Sequence, residues 1–120
     1  MSAENPTGSA DNRRRATRKY MLFKIPAYDG QTRRFLGLVQ DVTDSGVQLF
    51  GVQVETDTTR TLIIQASDYI KSAPLQFDAI CRWSRRENQQ GYYASGFEIV
   101  NISPEARQSL TKLIEFITLG

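Results

Sequence analysis

The feature that most constrains this chain is an alternation over residues 75–83, where Leu75, Phe77, Ala79, Cys81 and Trp83 are interleaved with Gln76, Asp78 and Arg82. Period two is the mark of a strand that buries one face. Such a strand needs hydrogen-bonding neighbours, and the rest of the text supplies them as short β-type runs. Residues 20–27 put Met21, Phe23 and Ile25 on one face and are expected to stop at Pro26 and the turn-like Tyr28-Asp29-Gly30. Residues 35–42 are apolar on both faces, and 47–50 and 61–65 read as two further strands separated by a polar loop rich in Thr and Asp. After a polar connection at 84–91, residues 92–99 form a sixth strand, interrupted by Gly96, where a missing side chain permits a bend or a close approach. Six short antiparallel strands with no edge protection of their own predict a mainly β fold, a small closed or nearly closed six-stranded barrel.

The last segment changes period. Ser103 can cap a helix, Pro104 suits its first position, and Glu105 complements the positive end of the helix dipole. Ala106, Leu110, Leu113, Ile114 and Ile117 then fall on one face at offsets of three and four. A C-terminal helix over 103–118 is therefore expected to lay its apolar stripe on the barrel.

At 120 residues the chain is long enough for one small domain and too short for two sizeable ones. The expected organisation is a tail at 1–12, then one domain over 13–120 with an arm at 13–19, a barrel at 20–100 and the helix at 103–118. The tail has almost no bulky apolar side chain with which to offset the entropy of ordering, so it reads as flexible. The chain holds one cysteine, Cys81, and no histidine. An intrachain disulfide is thus impossible, and the usual neutral-pH base and commonest zinc ligand are missing. Neither a catalytic group nor a metal or cofactor is expected. No stretch approaches the ~20 apolar residues of a spanning helix, and no signal peptide pattern opens the chain. A cytoplasmic protein that does not insert into membranes follows.

A formal charge of +2 is only mildly basic, so the cation-rich run Arg13-Arg14-Arg15-Ala16-Thr17-Arg18-Lys19 is a local concentration. That favours a specific anion site over a broad nucleic-acid face. Arg14 and Arg18 share a side of an extended chain and lie roughly 13 Å apart at about 3.3 Å per residue, a span suited to a dinucleotide-sized anion. Their planar, permanently charged guanidinium groups give paired hydrogen bonds to phosphate or a purine edge. Arg13 and Arg15 flank this pair: Arg13 can reach a second ligand molecule stacked on the first, Arg15 lies on the opposite, solvated side, and general electrostatic attraction accounts for both as well. Taken alone, the run reads more readily as a solvated basic tail or a general nucleic-acid arm than as a specific site. With no apolar surface and like charges that repel, it is expected to become ordered only when an anion binds, at a cost on the order of 2–5 kcal/mol.

A second motif lies between the second and third strands, Asp41-Val42-Thr43-Asp44-Ser45-Gly46. Asp41 and Thr43 share a face of an extended chain, offering a carboxylate acceptor and a hydroxyl, and Gly46 permits a positive φ in the turn. A carboxylate accepts two hydrogen bonds from the N1 and N2 donors of guanine, and a hydroxyl adds a third contact. By itself the hexapeptide is also an ordinary Asp/Ser/Gly turn.

Together the two motifs resemble the PilZ domain, a bacterial receptor module for cyclic di-GMP. Arg14-x-x-x-Arg18 stands just ahead of a first strand and Asp41-x-Thr43-x-x-Gly46 between later ones. The resemblance runs from about Arg13 to the final helix and takes in Trp83 and the Gly96-Phe97-Glu98 run. It implies a six-stranded antiparallel barrel with a C-terminal helix, an arginine linker that wraps over the ligand, and a D/N-x-S-x-x-G turn that holds guanine from the barrel face. Carried over by position, Arg14 and Arg18 match the first motif, and Asp41, Thr43 and Gly46 the second. Thr43 stands where the family usually has serine, which keeps the hydroxyl and adds a methyl. The expected function is a non-enzymatic cyclic di-GMP receptor that relays occupancy to a downstream protein partner, with no DNA or RNA bound. Two readings compete with it: a PilZ-like adaptor with an inactive nucleotide site, and a small barrel that binds single-stranded nucleic acid through its basic arm and aromatics.

Overall fold

The structure is a computed structural model that describes residues 24–119. Its six strands are β1 (Pro26–Asp29), β2 (Phe35–Val42), β3 (Gly46–Gly51), β4 (Thr59–Ile64), β5 (Leu75–Arg86) and β6 (Tyr93–Asn101), followed by a helix α1 (Pro104–Leu119). Every pairing is antiparallel, and the order β1-β2-β3-β6-β5-β4 closes on itself because β4 also pairs β1. Closure leaves no strand edge to protect, as the short unprotected runs require.

Two boundaries differ from the sequence expectation. Pro26 opens β1 instead of ending a strand, and Tyr28 and Asp29 continue the ladder. Proline is tolerated there because it is the first residue of the strand, and its carbonyl still accepts the Gln65 N–H at 2.9 Å. The part of the expected first strand at 20–23 lies outside the described residues. At the other hairpin, residues 84–86 are not a polar connection but extend β5, with Arg85 paired to Ala94 and Arg86 to Tyr93. Polar side chains at an exposed hairpin end carry no alternation to betray a strand.

Inside the barrel, Ala27, Val39, Leu49, Leu62, Phe77, Ala79, Cys81 and Phe97 form one continuous apolar cluster. The helix belongs to it. Ala106, Leu110, Leu113 and Ile117 are buried as the three/four spacing predicts, and Ile114 is half-buried. Ser103 caps α1, its Oγ accepting the Ala106 N–H at 3.1 Å. The helix is pinned to the β4–β5 connection: Ser109 Oγ donates to the Ala73 carbonyl at 2.8 Å, and the Tyr69 and Phe116 rings lie 5.6 Å apart. The Cys81 thiol is fully buried and donates to the Trp83 carbonyl at 3.3 Å. Burial pushes its pKa up, more than that hydrogen bond brings it down, so it is a packed, unreactive thiol.

Candidate functional site

An open cleft of about 270 Å³ lies on the outside of the barrel, where the β2–β3 turn meets the middle of β5 and β6. Two β-bulges create it. In β2, Val39 pairs with Leu49 and Asp41 with Gln48, leaving Gln40 as the extra residue. Strict alternation from Val39 would aim Asp41 into the apolar core. The bulge instead lets Val39 and Val42 both point inward while Gln40 and Asp41 stay on the outer, half-buried side.

The same device operates in β5, where Cys81 pairs with Phe97 and Trp83 with Gly96, leaving Arg82 over. The alternation that is so regular from Leu75 to Cys81 therefore breaks at Arg82. Ser84 takes the inward position, its hydroxyl 2.8 Å from that of buried Ser95, and Trp83 turns outward. Its indole rests on Gly96, where an added Cβ would collide with Nε1, Cε2 and Cζ2. Gly96 thus serves the close approach, not a bend. The Arg85 guanidinium sits over the indole, 4.8 Å from the ring centroid. Packed on Gly96 and with Arg85 over its ring, Trp83 is a wall of the cleft and not a bare stacking platform.

The turn that carries the second motif is rigidly placed. Thr43 N–H donates to the Gly46 carbonyl at 2.9 Å, and the Thr43 hydroxyl accepts the Ser45 N–H at 3.3 Å. Asp41 Oδ1 accepts the Val42 N–H at 2.8 Å, which orients the carboxylate along the strand end. From outside the hairpin, Ile99 N–H donates to the Ser45 carbonyl at 2.9 Å, and Arg107 of α1 donates to the Asp44 carbonyl at 2.9 Å. Gly46 has a different reason from the one expected. It does not occupy the left-handed region; it is the first residue of β3, and a Cβ there would run into the Phe97 carbonyl oxygen.

Asp41, Thr43 and Gly46 all line the cleft, so the structure brings the second motif together as a unit. Arg13, Arg14 and Arg18 lie outside the described residues. Sequence reasoning assigns no role to several other residues at the cleft: Ser45, whose hydroxyl is 3.3 Å from that of Thr43; Gln48, whose amide donates to Gln40 at 2.8 Å; and the Arg82–Glu98 pair at 2.7 Å. The sequence signals for that opposite wall are Trp83 and the Gly96-Phe97-Glu98 run, and neither marks Arg82. The Arg82–Glu98 pair is about half exposed on each side, so it contributes no more than about 1 kcal/mol and separates at little cost.

Chemically, the described lining carries two carboxylates, Asp41 and Glu98, against one guanidinium, Arg82. It is rich in acceptors and not electropositive. Such a surface reads the donor edge of a heterocycle and cannot by itself hold a phosphate. No group of three or more His, Cys, Asp or Glu side chains among the described residues could hold a metal ion. No helix among the described residues is long and apolar enough to cross a membrane.

Comparison with known proteins gives a consistent result. The PilZ domain family model matches residues 12–116. Among solved structures, the chain is similar to the Bacillus subtilis inhibitor of motility MotI/DgrA, with a TM-score of 0.59 at 13% identity over 80% of this chain. That likeness concerns the fold, and the aligned part is 46% of the longer MotI/DgrA chain, so this chain spans less than half of it. No curated protein matches.

Proposed function

The chain belongs to the PilZ domain family, whose members are generally non-enzymatic binding modules, and we propose from this that it is a cytoplasmic receptor for cyclic di-GMP. In this reading the arginine arm orders on the ligand and passes its occupancy to a protein partner. The observation that carries the reading is the β2 bulge. It turns the Asp41 carboxylate out of an apolar barrel and sets it beside the Thr43 and Ser45 hydroxyls on a turn held by β6 and α1. A carboxylate and hydroxyls on a fixed turn match the N1 and N2 donors of guanine. Because carboxylates outnumber cations in the cleft, the two phosphate charges of the ligand must be met by Arg14 and Arg18 of the arm, with Arg13 available to a second, stacked ligand molecule.

Binding and signalling are then separable. The barrel is already closed and packed, so the ligand needs to order only the arm, and the surface that the ordered arm creates is what a downstream protein would recognise. Single-stranded nucleic acid fits less well, because the Arg85 guanidinium already lies over the Trp83 ring. Calorimetric titration of the full chain with cyclic di-GMP, GTP and a short oligonucleotide tests the proposal. Saturable binding of cyclic di-GMP alone is expected. Preference for the oligonucleotide, with affinity falling steeply as salt rises, would replace this reading with the nucleic-acid one.

A further inference from the structure

Guanine presents more than the donors that Asp41 meets. Its N1 and N2 give hydrogen bonds, while O6 and N7 accept them, and acceptors that lose water on binding need a donor in the site. The motif turn has little to offer them. The Thr43 and Ser45 hydroxyls face each other at 3.3 Å, the N–H groups of both residues are bonded within the turn, and the Gln48 amide donates to Gln40. The richest set of free donors in the cleft belongs to Arg82, on the opposite wall.

The β5 bulge sets its position. Arg82 is the residue left over between the Cys81–Phe97 and Trp83–Gly96 pairs, and its side chain is 52% exposed, so a ligand in the cleft can reach it. Its Nε donates to Glu98 Oε1 at 2.7 Å, while Nη1 and Nη2 have no hydrogen-bond partner among the described residues. Glu98 is the ladder partner of Gly46, so the bond to Glu98 draws the guanidinium across β6 toward the motif turn. Asp41 on β2 and Arg82 on β5 are three strand spacings apart, roughly 14 Å at about 4.8 Å each, and both line the same cleft. Two side chains reaching inward over that span leave the width of a heterocycle between them.

The ion pair decides what Arg82 is fit to bind. Balanced by Glu98, it adds no net charge to the cleft and is a poor competitor for phosphate. Its free Nη1–Nη2 edge is a planar pair of donors, matched to two neighbouring acceptors, and O6 with N7 of guanine is the base edge that arginine grips most often. Adenine carries an amino donor in place of O6, which that edge would repel. Resting on the cyclic di-GMP reading above, we infer that Arg82 is a specificity-determining residue. It donates to O6 and N7 of the guanine whose N1 and N2 donate to Asp41, and Glu98 is the positioning residue that orients its guanidinium.

The test is calorimetric titration of the full chain with cyclic di-GMP and with its 7-deaza analogue, in which a C–H replaces N7 while O6, the donors and the phosphates are kept. The wild type should bind the analogue about tenfold more weakly. Arg82→Met keeps the stem and removes the donors, so it should weaken cyclic di-GMP by at least that factor and bind the two ligands alike. Glu98→Gln keeps the guanidinium and frees it from its carboxylate, so it should narrow the gap between the ligands. Both side chains are half exposed, and the variants should fold. A wild type that binds neither ligand would overturn the cyclic di-GMP reading and this assignment with it. A wild type that binds both equally well, or an Arg82→Met that keeps the wild-type gap, would overturn the Arg82 assignment alone. A Glu98→Gln that tightens both ligands and leaves the gap unchanged would mean that Glu98 acts by charge, and would overturn its positioning role.

Discussion

Replacing Gly46 by alanine separates two explanations of why the motif turn ends in glycine. If the residue were there for a left-handed φ, asparagine, which tolerates that region, would be a milder replacement than alanine. The structure gives the other answer: an added Cβ meets the Phe97 carbonyl oxygen, a backbone atom of the paired strand β6 that no rotamer change can move. Relief requires β3 and β6 to part at their first pair, Gly46 with Glu98, next to the Ser45 carbonyl that receives the Ile99 N–H. Overpacking of this kind typically costs about 1–3 kcal/mol. For a domain of this size each kcal/mol lowers Tm by about 4–8 °C, so Gly46→Ala should melt at least about 4 °C below the wild type. Gly46→Asn carries the same Cβ and more bulk, so it should be at least as damaging. Scanning calorimetry on the three proteins is sufficient. An unchanged Tm in Gly46→Ala, or a clear advantage of asparagine over alanine, would refute the close-approach argument.

Three further outcomes are expected. Arg14→Ala and Arg18→Ala should each weaken cyclic di-GMP by the worth of a charge-assisted hydrogen bond, roughly 1.5–3 kcal/mol, or about 10- to 150-fold in Kd; wild-type affinity in both, by calorimetry, would remove the arm from the site. Asp41→Ala should erode the preference for cyclic di-GMP over cyclic di-AMP more than it lowers affinity for the anion, and an unaltered ratio of the two affinities would take base reading away from Asp41. For Asp29, burial alone would raise the carboxyl pKa, but the Thr32 and Gln31 N–H groups and Arg60 outweigh it and hold the value below the ordinary one. The folded-state pKa is depressed, so the stabilisation is full above the ordinary carboxylate range and is lost as pH falls through the folded value. Asp29→Asn should accordingly flatten the acid limb of a Tm-against-pH curve, and identical acid limbs in mutant and wild type would contradict this.

How far the sequence can be read depends on whether a feature lives in one strand or between strands. Period two in β5 and the three/four spacing after Ser103 are local, and both elements appear where the pattern puts them. Pro26 misleads because its missing N–H signals an end as readily as the first residue of a strand. The candidate site divides in the same way. Asp41, Thr43 and Gly46 are close in sequence and one hairpin gathers them. Arg82 and Glu98 reach the cleft only through the β5–β6 register, which no local pattern records. The bulges at Gln40 and Arg82 are illegible for a related reason: each is a mismatch between two strands and needs both to be defined. They nevertheless decide the site, since one turns Asp41 out of the core and the other turns Trp83 out of it.

The central claim is that the cleft reads the base while the arm meets the phosphates. Backbone amide NMR of the full chain, recorded without and with saturating cyclic di-GMP, tests both halves in one measurement. The amides of residues 41–46 should shift, order parameters over residues 13–18 should rise on binding, and those of the barrel and α1 should stay as they were. An arm equally ordered in both states, or cleft amides that ignore a ligand known to be bound, would contradict the account.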